Sequence, residues 1–506
     1  VWYEVQLHAP GIDVYGVTLP GVPGVVIGFN REFAWSMTNG HSDVVDWRTI
    51  EFCDDTRNEY RYDGGWREVT WREEPIRVRD GDTVVERVPW THHGPVTAPT
   101  GGPAVAGWIP RDSALRWTGH DRSSEISAVL RLDRATGPED IDAVTRAFGV
   151  PGQNVAFASR GGDIGIVHAG RLPVRWDEQG RYVGDGADPA FEWHGFVPPE
   201  HLPAVVDPDR GFVGSANQPP VGASYPYWLG WSYGTWERGA RIHDLLSRAE
   251  DVRPEDMLAM QDDVVSEYAR VLLPALLAAL DPQPARSGTE AQVLEELRAW
   301  DGGYRADSVA PTVFDRWQRA LADAIWGDEM SGDDGVPGPR PHRDVTAATV
   351  LSGESPWLDD RRTDPVESLG DLVRASFERA VADLEARLGA FGPSWRWGTV
   401  RPTAIRHLAG LPGFGVEGLS VDGQYGVLRA VTGSFGPSWR MVVELGDPVR
   451  AWGEYPGGQN GDPASARYTD GVDAWVEGRT RELLVLDGPD AEHPRVTSRT
   501  VLEPAR

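Results

Sequence analysis

The amino-acid sequence predicts an α+β protein, with β-sheet segments towards both ends of the chain and a mainly helical region between them. In the first part of the chain, short apolar runs are separated by glycine and proline, which is typical of strands and tight turns. Apolar residues at helical spacing then mark 238–389, and strand-like patterns return over 390–506. Blocks of strands and helices in this order favour an α+β arrangement.

The N-terminal strands come first. Residues 16–28 alternate short apolar runs with Gly and Pro, which predicts strands joined by turns. Within 47–96 the pattern becomes hairpin-like, because 76–79 and 83–88 flank the turn residues 80–82. We therefore expect an antiparallel subdomain with one face in solvent.

In the middle and at the end of the chain, individual helices and strands are predicted more clearly. A helix is predicted over 138–148, where Pro and acidic residues suit a first turn, and strands at 155–158 and 164–168. In the helical region, Pro254 opens one helix and apolar residues follow helical spacing over 367–388. Two further predictions are a loop at 328–343, which is rich in Gly, Pro and Asp, and a strand at 440–445.

Charge and composition exclude several classes of function. With 77 acidic and 49 basic residues the net charge is −28, which repels phosphate backbones, so no nucleic-acid partner is expected. All 49 basic residues are arginine, which excludes a Walker A loop, a pyridoxal Schiff base, a Ser-Lys dyad and a kinase-type site. Codon bias and a salt-adapted surface both explain a chain without lysine.

The sequence also argues against disulfides, a membrane span and a signal peptide. Cys53 is the only cysteine, so no disulfide framework or thiolate metal cluster is expected within the chain. The longest apolar run is short and contains Pro274, which predicts no membrane span. The chain opens at Val1 without a signal-peptide pattern, and this start looks internal.

Two short motifs suggest chemistry, and both have ordinary structural explanations. Gly230-Trp231-Ser232-Tyr233-Gly234 matches the G-x-S-x-G nucleophile elbow, but Pro226 makes the preceding segment a poor central strand. The adjacent pair His92-His93 is expected to point to opposite faces of a strand, which makes it a poor chelate for zinc.

Oxygen-bearing side chains in loops are further candidates. Asp43, Asp46 and the carbonyl of Val45 offer oxygen ligands for calcium, but in so acidic a chain the residues alone favour a solvated acidic loop. Asn154 and Asn217 lie at Gly/Pro-rich strand ends, where binding residues and ordinary turn asparagines both occur.

A series of segments resembles the penicillin acylase family of N-terminal-nucleophile hydrolases. The segments fall in the family's order and span almost the whole chain: 2–11 (WYEVQLHAPG), 16–24 (GVTLPGVPG), 28–30 (GFN), 34–40 (AWSMTNG), 43–46 (DVVD), 93–96 (HGPV), 151–154 (PGQN), 171–175 (RLPVR) and 456–459 (PGGQ). The resemblance implies the four-layer αββα fold with a β-rich insertion and a helical region. It also implies that the chain is most of the large (β) subunit of a self-cleaving precursor.

The same resemblance implies a mechanism of amide hydrolysis. In the family, a serine at the start of the large subunit attacks the carbonyl and its own α-amine, which titrates near pH 8, acts as the base. The oxyanion donors fall on the main chain of Asn39 and the side chain of Asn217, and Arg238 matches an arginine that orders the site. Calcium ligands fall on Asp43, Val45 and Asp46, and no organic cofactor is expected.

The start of the chain departs from the family pattern, because Val1 is not a nucleophile. We expect the catalytic serine and the small (α) subunit upstream of Val1, a small-molecule acyl-amide substrate, a periplasmic or secreted location, and no activity from the fragment alone. The substrate classes are penicillin or cephalosporin side chains and acyl-homoserine lactones. Two alternatives stay open: a non-catalytic amide-binding relative, and a serine esterase that uses Ser232.

Together these patterns divide the chain into five predicted segments. They are a core β segment with the oxyanion and calcium loop (1–46), the β-rich insertion (47–118), a return to the core (119–237), the mainly helical region (238–389) and C-terminal core strands (390–506).

Overall fold

Strands dominate both ends of the chain and helices its middle, which confirms the predicted α+β class. The computed structural model describes residues 2–96, 109–280, 288–330 and 340–502. The strands in these residues are β1 Tyr3–Ala9, β2 Ile12–Thr18, β3 Ile27–Phe29, β4 Phe33–Asn39, β5 Val45–Thr49, β6 Glu59–Tyr62, β7 Gly65–Glu68, β8 Thr70–Ile76, β9 Val84–Thr91, β10 Gly94–Pro95, β11 Ser113–Trp117, β12 Gln153–Ser159, β13 Ile164–Ala169, β14 Gly184–Asp185, β15 Ala204–Val206, β16 Thr403–Ile405, β17 Val416–Leu419, β18 Arg440–Glu444, β19 Arg450–Glu454 and β20 Arg481–Glu482.

The helices in the same residues are α1 Glu125–Leu132, α2 Ile141–Ala147, α3 Trp236–Ser247, α4 Pro254–Gln261, α5 Glu267–Leu280, α6 Gly288–Ala299, α7 Ala310–Trp326, α8 Arg343–Ser352, α9 Leu369–Leu388, α10 Trp397–Val400 and α11 Val472–Val476. Short 3₁₀ turns lie at Thr118–His120, Pro138–Asp140, Pro189–Phe191, Pro199–His201, Pro356–Leu358 and Pro393–Trp395. None of the helices in the described part of the chain combines the length and the apolar character that a bilayer crossing requires.

The chain divides into two compact units. The sheet unit consists of Tyr3–Thr235, Leu445–Arg450 and Leu484–Arg506, and the helical unit consists chiefly of Trp236–Glu444 and Ala451–Leu483. The first helix of the helical unit, α3, begins at Trp236, and the helical region was predicted to begin at 238.

The sheet unit is built on a seven-stranded antiparallel sheet with the order β1-β2-β3-β4-β12-β13-β15. Its register pairs Asn39 of β4 with Gln153 of β12, and Asn154 of β12 with His168 of β13. One end of the sheet thus collects polar residues from three neighbouring strands.

One face of this sheet packs against α1 and α2. Phe33, Trp35 and Phe157 of the sheet and Leu132 and Val144 of the helices belong to one buried apolar cluster. Burying each large apolar side chain stabilises the fold by about 1.5–3 kcal/mol, so this layer holds the strand ends in a fixed register.

The predicted hairpin is present, with a shorter first arm. β8 and β9 pair from Thr70↔Trp90 to Ile76↔Val84, so 77–79 belongs to the turn and not to a strand. Asp80 in this turn has a φ of 58°, a left-handed conformation that ends the regular extended backbone. Residues 97–108 of the predicted insertion lie outside the described residues.

The helical unit has its own core, formed mainly by α5, α6, α7 and α9. Phe314, Trp317 and Phe377 are at most 1% exposed within it. Pro254 opens α4 as predicted, and Ser368 caps α9 by accepting a hydrogen bond from the Asp371 amide. Most of the predicted loop at 328–343, namely 331–339, lies outside the described residues.

Candidate active site

Two strand ends of the seven-stranded sheet meet at Asn39. β4 ends at this residue and β12 begins at Gln153, whose side-chain amide donates to Asn39 Oδ1 at 3.2 Å. The next amide, of Gly40, donates to the Gly152 carbonyl at 2.8 Å. The peptide at Asn39 therefore has a fixed position at the end of two interior strands of the sheet.

The structure brings Asn217 to this peptide. Its side-chain Nδ2 donates to the main-chain carbonyl of Asn39 at 2.9 Å, across 178 residues of sequence. Asn217 has a φ of 67°, an uncommon conformation that asparagine tolerates better than most residues. Its carbonyl accepts from the Gly234 amide at 2.7 Å and its amide donates to Ser215 Oγ at 3.2 Å, so the backbone that carries the carboxamide is held on both sides.

Ser215 connects Asn217 to the sheet. Its hydroxyl lies 2.7 Å from Thr38 Oγ1 and accepts from Asn154 Nδ2 at 3.1 Å. Sequence reasoning named Asn154 as a candidate but missed Thr38 and Ser215. Their only sequence signal is that each lies within two residues of a predicted site asparagine. Strand register pairs Thr38 with Asn154, whereas the loop that carries Ser215 reaches them only in the folded chain.

His168 extends this polar network into the sheet. It is 1% exposed, lies 2.7 Å from Asn154 Oδ1 through Nδ1, and lies 2.7 Å from Ser42 Oγ through Nε2. The carbonyl oxygen of Asn154 can only accept, so Nδ1 carries the proton and Nε2 accepts from Ser42. Burial lowers the pKa of His168 to about 4, which keeps the ring neutral.

The close packing of His168 explains a glycine in the site loop. A Cβ on Gly40 would lie 2.2 Å from His168 Cε1 and 3.0 Å from the Gly152 carbonyl. Any side chain at this position would displace either the imidazole or the strand end that carries Asn39.

The buried neutral His168 gives a pH prediction for stability. The folded-state pKa, about 4, lies below the unfolded value of 6.5, so the unfolded chain binds the extra proton between these values. The stabilisation that the neutral imidazole contributes is fully present above pH 6.5. It decreases as the pH drops from 6.5 to 4 and does not change further below pH 4, and the total loss of unfolding free energy is on the order of 3 kcal/mol. Urea unfolding at pH 7 and at pH 4.5 should show a smaller pH-dependent loss in His168→Gln than in the wild type.

The exposed His493 supplies the control for that measurement. His493→Gln removes a surface imidazole and, as an exposed substitution, should change the free energy of unfolding at pH 7 by less than about 0.5 kcal/mol. If His168→Gln and the wild type lose the same free energy between the two pH values, the buried imidazole is not the group responsible.

A cavity of about 580 Å³ adjoins the network within the sheet unit. Asn154, His168 and Ser215 form part of its wall, with Gln218 and Tyr225 further along the lining. The polar network therefore lies between the Asn39 peptide and a space of small-molecule size.

The loop predicted to bind calcium is organised around an arginine. Arg175 donates from Nη1 to Asp43 Oδ2 at 3.1 Å and to Asp46 Oδ1 at 3.0 Å, and from Nη2 to the Asp43 carbonyl at 2.6 Å. The other oxygen of Asp46 accepts from Arg48 at 2.7 Å and from the indole of Trp193 at 2.5 Å. The guanidinium of Arg175 has no exposure to solvent.

This arrangement does not fit a calcium ion at Asp43, Val45 and Asp46. Calcium takes six to eight oxygen ligands, whereas N–H donors occupy both oxygens of Asp46 and two oxygens of Asp43. Gly180 packs directly against these three side chains, because a Cβ on it would lie 2.5–2.7 Å from Asp43, Asp46 and Arg175. Calcium stays a prediction from the resemblance, and an ion would first have to displace the guanidinium.

Arg238 lies in the other unit, near the start of α3. Its guanidinium carbon lies 5.6 Å from the centre of the Tyr425 ring, and burial lowers the pKa of this arginine. Its assignment as a site residue stays a prediction.

The two remaining sequence candidates take different conformations from those their patterns suggested. Ser232 lies in a loop that no strand precedes directly, and its φ is not positive, so the strand-to-helix elbow is not formed there. His92 and His93 form the turn between β9 and β10, not part of a strand. Strand alternation therefore does not apply, and their rings lie on the same side with centroids 3.8 Å apart.

Comparison with known proteins identifies relatives over the whole chain. A sequence profile of the penicillin amidase family matches residues 1–488. An acyl-homoserine lactone acylase of Pseudomonas aeruginosa is 27% identical over 532 residues, which cover 95% of this chain and 62% of the relative. A penicillin acylase 2 proenzyme of Pseudomonas sp. is 29% identical over 326 residues, which cover 64% of this chain and 41% of the relative.

The fold also matches a solved structure. A thermostable penicillin G acylase from Alcaligenes faecalis superposes with a TM-score of 0.76 at 19% identity, covering 100% of this chain and 94% of the other. The chain spans about three fifths of the length of the acyl-homoserine lactone acylase it matches.

Proposed function

Because this chain belongs to the penicillin amidase family, we propose that the protein containing it hydrolyses a linear amide bond and releases a carboxylic acid and an amine. The relatives are named as acylases of acyl-homoserine lactones and of penicillin. The observation that carries the proposal is the bond from Asn217 Nδ2 to the Asn39 carbonyl, which joins the two residues proposed to hold the oxyanion.

The chemistry requires a nucleophile and a preorganised oxyanion site. We assign the nucleophile to an N-terminal serine of the mature large subunit, upstream of Val1, with its own α-amine as the base. Attack on the substrate carbonyl places negative charge on its oxygen, and the main-chain N–H of Asn39 and the carboxamide of Asn217 stabilise that charge. Ser215 and Gly234 hold the backbone of Asn217, so its donor needs little reorganisation as the charge develops.

The proposed substrates are small acylated amines. Acyl-homoserine lactones and the side-chain amides of penicillins or cephalosporins both present a linear amide carbonyl to such a site. The proposal includes self-cleavage of a precursor, a small subunit that completes the acyl pocket, and a periplasmic or secreted location. We expect residues 1–506 by themselves to be inactive, because the proposed serine is not among them.

One experiment tests the nucleophile and the reaction together. The full-length gene is expressed, the mature subunits are sequenced from their N-termini, and the protein is treated with a serine-directed sulfonyl fluoride. We expect the label on an N-terminal serine, together with hydrolysis of an N-acyl-homoserine lactone or a penicillin. A label on Ser232 would instead establish the esterase alternative, and substrate binding without a label or hydrolysis would establish a non-catalytic relative.

A further inference from the structure

We propose that His92, His93 and Glu192 bind a transition-metal dication, with Zn²⁺ as the preferred ion. The three residues lie in the sheet unit and are not among the predicted calcium ligands, although Trp193, next to Glu192, donates to Asp46. Their side-chain ligand atoms all lie within 4.8 Å of one another. Two imidazoles and one carboxylate are a ligand set that suits zinc and other nitrogen-preferring divalent metals, and not calcium or magnesium.

The ligand atoms converge on one oxygen of Glu192. His92 Nε2 lies 2.8 Å and His93 Nδ1 lies 3.4 Å from Glu192 Oε1. Ligands around tetrahedral zinc lie about 3.3 Å apart, so only small side-chain movements would place an ion between these three atoms. Three protein ligands leave a fourth position for water.

The outer hydrogen bonds orient both imidazoles for metal binding. His93 Nε2 lies 2.9 Å from the Gly186 carbonyl, which can only accept, so the proton is on Nε2 and the Nδ1 lone pair faces Glu192. Without an ion, His92 Nε2 donates to Glu192 and Nδ1 lies 2.8 Å from the Tyr60 hydroxyl. Metal binding at Nε2 would require the ring proton to move to Nδ1, where the Tyr60 hydroxyl, which also accepts from the His92 amide at 3.2 Å, can accept it. A ring N–H donated to a carbonyl or hydroxyl is the usual support for a metal-binding histidine.

Protonation and local charge are compatible with a bound cation. Burial and the neighbouring His92 hold the pKa of His93 at about 4, so this ligand is neutral near pH 7. Burial alone would raise the pKa of Glu192, but the hydrogen bond from His92 and other nearby groups lower it. Arg48, whose charge acts on both His93 and Glu192, is paired with Asp46 at 2.7 Å, which offsets that charge.

An ion at this site would connect the predicted β-rich insertion to the segment that follows it. Tyr60 belongs to β6 and His92 follows β9, both within the predicted insertion, whereas Glu192 follows the 3₁₀ turn Pro189–Phe191 of the following segment. His93 is buried, while His92 and Glu192 are about one quarter to one third exposed, so the ion can enter from solvent. A metal here would hold the insertion against the core at a point that now depends on hydrogen bonds.

Metal binding is tested on the intact full-length protein after chelation and removal of metals. Isothermal titration with Zn²⁺ should show one site per chain, and Co²⁺ should give the intense visible absorption of a four-coordinate ion. Ca²⁺ and Mg²⁺ in excess should not compete. Glu192→Gln and His93→Gln should each weaken Zn²⁺ binding by at least about 100-fold, because loss of an outer-shell partner alone costs 10–100-fold.

The matched control is His194→Gln, which removes an exposed imidazole two residues from Glu192 and should leave the affinity unchanged. Thermal unfolding of each variant without metal shows whether it is folded. If His93→Gln does not fold, the affinity of Glu192→Gln for Zn²⁺ tests the proposal. The proposal is overturned if the wild type takes up no Zn²⁺, or if a folded Glu192→Gln binds it as tightly as the wild type. In either case the cluster is a hydrogen-bonded His-Glu contact only.

Discussion

Replacing Asn217 by alanine is expected to lower kcat of the full-length protein by about 100- to 1000-fold, the usual cost of losing one oxyanion donor. The carboxamide is held by the Asn39 carbonyl, and its backbone by Ser215 and Gly234, so its contribution is to the charged intermediate more than to the ground state. KM should therefore change much less than kcat. Steady-state kinetics on an N-acyl-homoserine lactone or a penicillin measure both constants.

Asn58→Ala is the control for that substitution, because Asn58 is an exposed asparagine in the β-rich insertion. It should leave kcat within about twofold of the wild type, a change of less than about 0.5 kcal/mol in the barrier. An Asn217→Ala protein that is folded and turns over at the wild-type rate would remove Asn217 from the oxyanion site.

Replacing Arg175 by alanine is expected to reduce the free energy of unfolding by about 3–5 kcal/mol, as is typical when one partner of a buried ion pair is removed. The substitution leaves Asp46, which is 1% exposed, and Asp43 without the guanidinium between them. Arg48 and Trp193 still donate to Asp46, but only to its other oxygen. Urea unfolding at pH 7 measures the loss.

Arg171→Ala provides the comparison, because Arg171 is 38% exposed and its ion pair with Asp121 is long, at 3.7 Å. Such a surface pair contributes about 0–1 kcal/mol. Equal losses in the two variants would mean that the buried position of Arg175 gives it no special role in stability.

Calcium and EDTA extend the Arg175 experiment. In the wild type, neither is expected to shift the thermal unfolding midpoint, because the guanidinium occupies the space among the predicted ligands. In Arg175→Ala the same oxygens are released, and added Ca²⁺ should recover part of the lost stability. A fall in the wild-type midpoint on EDTA treatment, reversed by Ca²⁺, would show that the ion binds despite Arg175.

Local patterns in the sequence predicted individual elements of the fold. Turn residues between alternating apolar runs predicted the β8–β9 hairpin, and Pro254 with helical spacing after it predicted the start of α4. These predictions succeed because each depends on residues within one element. The same reasoning failed at 77–79, which were predicted to continue the strand but belong to a longer turn that contains the left-handed residue Asp80.

The adjacent histidines show the same limit more clearly. The sequence predicts opposite directions for His92 and His93 on a strand, but the turn between β9 and β10 brings their rings together. Glu192, the third member of the cluster, is 100 residues away from His92 and carries no local signal of the contact.

The sequence by itself determined the α+β class, the resemblance to the family, and through it the identity of Asn39 and Asn217 as candidates, because motif segments and residue periodicity are local properties. Only the tertiary structure decided that Asn217 donates to Asn39, that Ser215 and His168 support them, and that Arg175 fills the space between Asp43 and Asp46. Hydrogen bonds and ion pairs of this kind depend on distances of about 3 Å between residues far apart in the chain. Strand register and packing set those distances, and no spacing along the chain encodes them.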